Sequence, residues 1–381
     1  MSPSNVKTSE DNPPSKGSII LAAGGSGGHM FPAQALAQEL DRRGYEMVLI
    51  TDDRGNRYAD RFPNTEVKLV DAATFAGANP ILRVLALLKI TGGVVSAMRE
   101  LSKAKPKAAI GFGGYSSFPT MVAASLLRIP SGLHDPNAVL GRVNKFLVGR
   151  VDLVGAAFDN MEGVPAKAVH KLHIIGNPLR DEVIALRDEA YVAPSENSKI
   201  HLVVFGGSQG AQTLGEMVPA AIAQLPTGLR SRLQVTQQAR EENMHAASAA
   251  YASMNVAANV APFFNDLPQR MAAAQLVIGR AGASTVTELA TIGRPSILVP
   301  LPSAMDDHQT VNARALTDVG AAWLMPQSEL TVTALADKLR SLFDDPSSLV
   351  NAATAARGAA KLNATSDFAD LIEQLIARRA R

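Results

Sequence analysis

One unit occurs twice in this chain, and no other feature limits the fold as much. "IILAAGGSGGHMFPAQALAQEL" starts at Ile19 and "IHLVVFGGSQGAQTLGEMVPAAIAQL" at Ile200. Each reads as an apolar strand, a Gly-Gly-Ser-x-Gly turn and a helix. Further apolar runs alternate with helical segments: "EMVLITD" and "AAIGFGGY" after the first unit, "RLQVTQQ", "QLVIGRAG" and "SILVPLP" after the second. Repeated βα alternation requires parallel sheets covered by helices on both faces. A chain of 381 residues also exceeds what one core usually supports. The expected fold is therefore α/β, with two Rossmann-like domains facing each other across a cleft at the strand C-termini. The expected boundaries are a polar, proline-rich tail over 1–17, a first domain over 18–178 and a second over 179–365. A C-terminal helix, 366–381, is expected to pack back on the first domain.

Composition removes several functions. A net charge of +2 argues against a dedicated nucleic-acid binder, so no nucleic-acid partner is expected. The chain has no cysteine, which rules out disulfides and thiolate metal sites and fits a reducing compartment. The tail "MSPSNVKTSEDNPPSKG" lacks the apolar core of a secretion signal. No run reaches the roughly 18 apolar residues of a membrane span. The nearest, "NPILRVLALLKITGGVVSAMRELSKAKPK", is broken by Arg83 and Lys89. As a helix it places Ile81, Leu85 and Leu88 on one face, with Leu82 and Val84 beside them. That face either packs on a sheet or rests on an anionic membrane surface.

The glycine turns narrow the chemistry. Glycine lets a ligand approach the main chain, and a following helix N-terminus favours an anion. Neither turn matches G-x-G-x-x-G, and no G-x-x-x-x-G-K-[ST] occurs, so a dehydrogenase and a P-loop ATPase are both disfavoured. A third loop, "GRAGASTVTELATIG", offers open backbone at Gly282 and Ala283 and hydroxyls at Ser284 and Thr285. It suits a diphosphate. Thr285-x-x-Glu288 reads equally as a capping box and as a carboxylate for paired sugar hydroxyls. No D-x-D occurs, so a leaving diphosphate would rely on helix N-termini and an arginine. Arg180 in "IIGNPLR" stands near the domain junction, and its alternative is a structural salt bridge. No cofactor and no protein metal site are expected.

Seven motifs in order, "GGSGGH", "GFGGY", "HDPNAVLGRVNK", "GNPLR", "GGSQGA", "GASTVTE" and "DDHQTVNA", resemble one family. It is the family of peptidoglycan glycosyltransferases that add N-acetylglucosamine to undecaprenyl-pyrophosphoryl-N-acetylmuramoyl-pentapeptide, converting lipid I to lipid II. The resemblance spans roughly residues 18 to 375 and implies a GT-B fold and an inverting, UDP-N-acetylglucosamine-dependent transfer to the acceptor 4-hydroxyl. It implies that Ser26, Gly27 and Gly28 line the first loop and that His29 assists deprotonation of the acceptor. Asn137 would contact the donor sugar. Arg180 and Ser208 would hold the diphosphate, and Gln209 is a further substrate-binding residue. Ala283, Ser284, Thr285 and Glu288 would hold phosphates and ribose, with Glu288 on the ribose. Uracil would meet backbone near Phe264, and Gln309 would bind the sugar hydroxyls. His29, Glu288 and Asn137 are the candidate catalytic set.

The resemblance also implies a membrane-bound acceptor. Its pyrophosphate would face Gly113, Gly114 and Tyr115, and Ile81, Leu82, Arg83, Leu85, Leu88 and Lys89 would form the membrane patch. The location it implies is the cytoplasmic face of the bacterial inner membrane, held peripherally, with cell-wall and division proteins as further partners. Two positions depart from the family pattern. His134-Asp135-Pro136-Asn137 stands where H-E-Q-N is common, and His308 stands where Gln is frequent. Other readings keep the fold: a UDP-N-acetylglucosamine 2-epimerase, another lipid glycosyltransferase, or a non-catalytic scaffold recruiting division proteins. "HDPN" with "DDHQTVNA" favours the peptidoglycan enzymes over the first two, and intact His29 and Glu288 argue against a dead site.

Overall fold

The computed structural model of the chain describes residues 15–70, 80–207 and 212–379, with backbone only for 80–85 and 87. Its strands are β1 (Ser18–Ala22), β2 (Glu46–Thr51), β3 (Thr65–Leu69), β4 (Ala108–Gly111), β5 (Ser131–Asp135), β6 (Leu153–Ala156) and β7 (Leu172–Ile174). They continue with β8 (Ile200–Phe205), β9 (Leu233–Gln238), β10 (Ala257–Ala261), β11 (Leu276–Gly279), β12 (Ser296–Leu298) and β13 (Ala322–Leu324). Two wholly parallel sheets result, ordered β3-β2-β1-β4-β5-β6-β7 and β10-β9-β8-β11-β12-β13. The first strand of each unit lies inside its sheet, where the strand order reverses. Each Gly-Gly-Ser turn therefore leaves its sheet at the switch point, where ligands bind in such folds.

Alternate residues of β1 feed two cores, as a pleat covered on both faces requires. Ile19 and Leu21 meet Met30, Leu36 and Leu40 of the Gly27–Arg42 helix, whereas Ile20 and Ala22 meet Ala97, Leu101 and Met121. The second sheet repeats the plan. Leu202 and Val204 pack on Leu214, Val218 and Ile222, and Val203 and Phe205 pack on Met271 and Leu289.

The helix Ala364–Arg379 does not join the sheet that precedes it in sequence. Phe368, Ile372 and Leu375 enter the core around Ile19 and Leu21. Arg43 bonds Asp370 (2.5 Å) and Glu373 (2.7 Å), and Arg379 bonds Asp152 (2.9 Å). The chain thus passes between the sheets twice, near Asn177–Arg180 and near Ala360–Asn363.

Among the described residues no helix is long and apolar enough to cross a membrane. Of the patch residues, Leu88 and Lys89 are exposed on the helix Pro80–Ala104, while the side chains of Ile81, Leu82, Arg83 and Leu85 lie outside the described residues.

Candidate active site

A cleft of about 600 Å³ runs between the two sheets and is bordered by residues of both. Ser26, Gly27, Gly28 and His29 line it on the first-sheet side. Only glycine fits at Gly24, because a Cβ there would lie 2.6 Å from the Ser116 side chain and 2.9 Å from Asp52. Ser26 is the extended N-cap residue, yet its hydroxyl makes no cap bond and stands 3.3 Å from His29 Nδ1. Gly113 and Gly114 have φ of 80° and 74°, which other residues rarely adopt. A Cβ on either would lie 3.5 Å from the imidazole. These two glycines back the ring and are not among the residues around the cleft, nor is Tyr115.

Burial pushes the His29 pKa from 6.5 down to about 4; a backbone bond to Gly24 opposes this and the charge of His308 adds to it. The ring is therefore neutral at neutral pH and able to accept a proton.

The turn after β5 carries the "HDPN" residues. His134 points away from the cleft. It is fully buried beside Phe112 and Phe368, with Nε2 3.2 Å from the Gly176 carbonyl. The shorter Asp135 is also buried, and it organises the turn by accepting from the amides of Asn137 (3.1 Å) and Gly141 (2.7 Å) and from Asn144 Nδ2 (3.0 Å). Burial pushes its pKa up against these donors. Asn137 itself borders the cleft.

The second-sheet side supplies the helix Ala283–Ile292. Gly282 is its extended N-cap residue, and the first amide to bond back is that of Val286. The amides of Ala283, Ser284 and Thr285 accordingly lack helical acceptors at the positive end of the dipole. The Ser284 hydroxyl is buried with no partner. Of the two readings of Thr285-x-x-Glu288, the capping box is not formed, because Thr285 lies inside the first turn and not at the cap. Glu288, 8% exposed, instead accepts from Arg180 Nη2 at 3.1 Å. Burial raises the Glu288 pKa and Arg180 opposes the rise.

Arg180 stands behind Glu288 and does not border the cleft. Its Nη1 donates to Glu182 at 2.5 Å, and its guanidinium lies 4.3 Å from the centroid of Phe31. Phe264 borders the cleft beneath Arg270, whose guanidinium is 4.5 Å from the ring centroid. Gln309 also borders it; its Oε1 accepts from the Leu301 amide (2.9 Å), which leaves the NH2 end for a ligand. His308 adjoins Gln309, with Nδ1 2.7 Å from the Met305 carbonyl. Ser208 and Gln209 lie outside the described residues.

Several residues escaped sequence reasoning. Phe31 and Tyr58 form an edge-to-face pair on the cleft wall, with centroids 5.8 Å apart. Arg280 fixes the loop after β12 through the carbonyls of Val299 (3.1 Å) and Pro300 (3.0 Å) and through Gln327 (2.6 Å). Its position inside "GRAGAS", between a strand end and open backbone, was the available signal. Asn144 and Asn312 lie within "HDPNAVLGRVNK" and "DDHQTVNA", but their contacts were not readable there: Asn144 braces Asp135 within its own turn, and Asn312 bonds Asn137 and Ala138 far away in sequence. Among the described residues no cluster of three His, Asp or Glu forms a metal site.

Open helix-terminal amides suit a leaving diphosphate, and a neutral imidazole across the gap suits removal of a proton from an incoming hydroxyl. With the paired Rossmann-like sheets, these features define the class: a GT-B glycosyltransferase that uses a nucleotide sugar. Comparison with known proteins agrees. Residues 19–155 match the glycosyltransferase family 28 N-terminal domain and residues 201–375 match the family 28 C-terminal domain. The UDP-N-acetylglucosamine–N-acetylmuramyl-(pentapeptide) pyrophosphoryl-undecaprenol N-acetylglucosamine transferase of Rhodospirillum centenum is 48% identical over 93% of both chains. That of Caulobacter vibrioides is 46% identical over 93% of this chain and 98% of its own. The crystal structure of Acinetobacter baumannii MurG superposes with a TM-score of 0.75 at 32% identity, covering 94% of this chain and 99% of that one. A UDP-N-acetylglucosamine 2-epimerase of Neisseria meningitidis, at 13% identity and a TM-score of 0.64, shares the fold alone. The chain belongs to glycosyltransferase family 28, and within it to the family of these undecaprenol-linked N-acetylglucosamine transferases.

Proposed function

We propose that the cleft performs the reaction for which its relatives are named. The protein is a UDP-sugar hexosyltransferase that moves N-acetylglucosamine from UDP-N-acetylglucosamine to undecaprenyl-pyrophosphoryl-N-acetylmuramoyl-pentapeptide, the lipid I to lipid II step of peptidoglycan synthesis. The observation that carries the residue assignment is the opposition across one cleft of a neutral His29 and the unbonded amides of Ala283, Ser284 and Thr285.

The acceptor 4-hydroxyl attacks the anomeric carbon from the His29 side. Its proton passes to the imidazole, and the bond from the sugar to UDP breaks. Attack opposite the leaving group inverts the anomeric centre. Charge growing on UDP is met by the helix amides and the Ser284 hydroxyl, which are already oriented and need no reorganisation. Ser208 is assigned to the diphosphate and Gln209 to the substrate by the family resemblance alone. Glu288 accepts from the ribose hydroxyls, and Arg180 keeps that carboxylate ionised and in place. Asn137 and Gln309 contact the sugar, and uracil lies near Phe264. Gly113, Gly114 and Tyr115 present the acceptor pyrophosphate beside His29. The boundaries 18–178 and 179–365 divide the acceptor side from the donor side, with the C-terminal helix restoring the first.

A lipid-linked acceptor brings the protein to the cytoplasmic face of the membrane. The exposed side chains of Leu88, Leu126 and Phe146, with Arg150 4.5 Å from the Phe146 centroid, are the described apolar and basic groups that would meet that surface.

The test incubates the purified chain with UDP-N-acetylglucosamine and a short-chain lipid I analogue and resolves the products by mass. An acceptor heavier by one N-acetylhexosamine, with UDP released only when acceptor is present, supports the assignment. Epimerised donor with unchanged acceptor overturns it.

A further inference from the structure

Asn312 is completely buried on the helix His308–Thr317 of the second sheet's unit, yet it bonds into the first. Its Oδ1 accepts from the Ala138 amide at 2.8 Å. Its Nδ2 donates to Asn137 Oδ1 and to the Ala281 carbonyl, both at 3.2 Å. The polarity of this junction is unambiguous. A backbone N–H only donates and a backbone carbonyl only accepts, so the two ends of the Asn312 amide are assigned by their partners. The atom of Asn137 that meets Nδ2 must then be its oxygen. The NH2 end of Asn137, which the Asp135 carboxylate also attracts, is what remains for a ligand in the cleft.

One buried side chain therefore joins both walls of the donor site. Asn137 belongs to the first-sheet wall, and Ala281 leads directly into the helix whose amides face the diphosphate. A fully satisfied buried polar link fixes one arrangement of its neighbours, because any other leaves a donor or acceptor unpaired.

We propose that Asn312 is a positioning residue for the donor sugar: it locks the Asn137 carboxamide with the NH2 end toward the cleft, so that Asn137 donates to a sugar oxygen and does not accept. The inference rests on the reading that Asn137 touches the sugar. It also makes the sugar contact dependent on the two units standing as they do here, since the lock and the contact lie on different units.

The test measures dissociation constants of UDP and of UDP-N-acetylglucosamine for the wild type, Asn312→Ala, Asn137→Ala and the double variant. The ratio of the two constants isolates the sugar contact, and a merely structural role of Asn312 would shift both ligands together. Expected for Asn312→Ala is about tenfold weaker binding of UDP-N-acetylglucosamine with UDP held within about twofold. The double variant should bind the sugar no worse than Asn137→Ala, because on this proposal Asn312 reaches the sugar through the Asn137 carboxamide. Equal weakening of both ligands by Asn312→Ala, or additive losses in the double variant, overturns the proposal. An unchanged ratio for Asn137→Ala fails the underlying reading instead and takes the proposal with it. Should Asn312→Ala not fold, Asn312→Asp keeps an acceptor for the Ala138 amide and removes both donations. It should show the same selective loss, and a loss shared equally by UDP again overturns the proposal.

Discussion

His29 and Glu288 face the same cleft but carry opposite charge requirements. In the proposed reaction His29 must be neutral to take a proton, and burial favours this by lowering its pKa to about 4. Replacing His29 with alanine is expected to lower kcat by about a hundredfold or more while the dissociation constant for UDP-N-acetylglucosamine changes little. In the wild type the acid limb of kcat at saturating substrate should fall well below 6.5; a limb at 6.5 would show that a group other than the buried His29 titrates. Glu288, in the role proposed for it, must stay ionised to accept from hydroxyls, and its ion pair with Arg180 opposes the upward push of burial. Glu288→Gln should therefore weaken UDP and UDP-N-acetylglucosamine alike, by about tenfold in a titration of either ligand, because the ribose is common to both. Equal affinity in the variant would remove Glu288 from the nucleotide site. That both positions border one cleft was legible, because each lies in a glycine-rich loop at a strand end. A structural salt bridge was one of the two readings of Arg180, but its partner Glu288 was not legible, since ion pairing between segments far apart in sequence leaves no local pattern.

At the level of elements, the glycine turns do two different things. The turn at Gly24 leaves β1 under a steric ceiling set by Ser116 and Asp52, and the Gly113–Gly114 pair bends backbone of positive φ around the imidazole. Gly113→Ala would place a Cβ 3.2 Å from Asn144 Nδ2 and 3.5 Å from His29 Nε2 in a conformation alanine disfavours. It should cost about 1–2 kcal/mol of stability and lower kcat by displacing the ring, with UDP affinity preserved. A calorimetric scan beside a UDP titration checks this, and weaker UDP binding would mean the strain had spread to the other wall. Strands and helices were readable from apolar runs and turn glycines because parallel strands buried on both faces are nearly uniform in character. The start of the Ala283–Ile292 helix was not. Thr285-x-x-Glu288 satisfies the local rule for a cap, but Gly282 holds the extended conformation and the Arg180 pair claims Glu288. Tertiary pairing prevailed over the local preference.

The whole molecule is tied together by segments that sequence order would keep apart. Repetition of the βα unit made two sheets legible, but the bonds from Asn312 to Asn137 and Ala138 and from Asn177 to Thr287 (3.1 Å) arise only once both units are folded. The returning helix brings Phe368 against Phe112 and His134, with centroids 6.3 Å and 5.6 Å away. This places an imidazole where it cannot be hydrated. Burial lowers the His134 pKa from 6.5 to about 4, so between these values the unfolded chain takes a proton that the folded chain refuses. The sign follows from linkage: His134 costs nothing above pH 6.5, and stability falls as pH drops toward 4, by about 3 kcal/mol in total. The carboxylates held low by ion pairs, such as Glu39 and Glu373, lose their contribution only nearer pH 4 and below. The decline in the window from about 6.5 to 4.5 thus belongs to histidines, with His29 and His173 lowered in the same sense, and it is opposed by Asp135 and Glu288, whose raised pKa values let the folded chain bind protons first. Urea unfolding at a series of pH values should show the decline in the wild type. His134→Gln, which retains a donor for the Gly176 carbonyl, should flatten a large part of it while lowering stability at pH 7 only modestly. An unaltered slope in that variant would locate the acid sensitivity elsewhere and would mean that the aromatic cluster under the returning helix admits a charged imidazole.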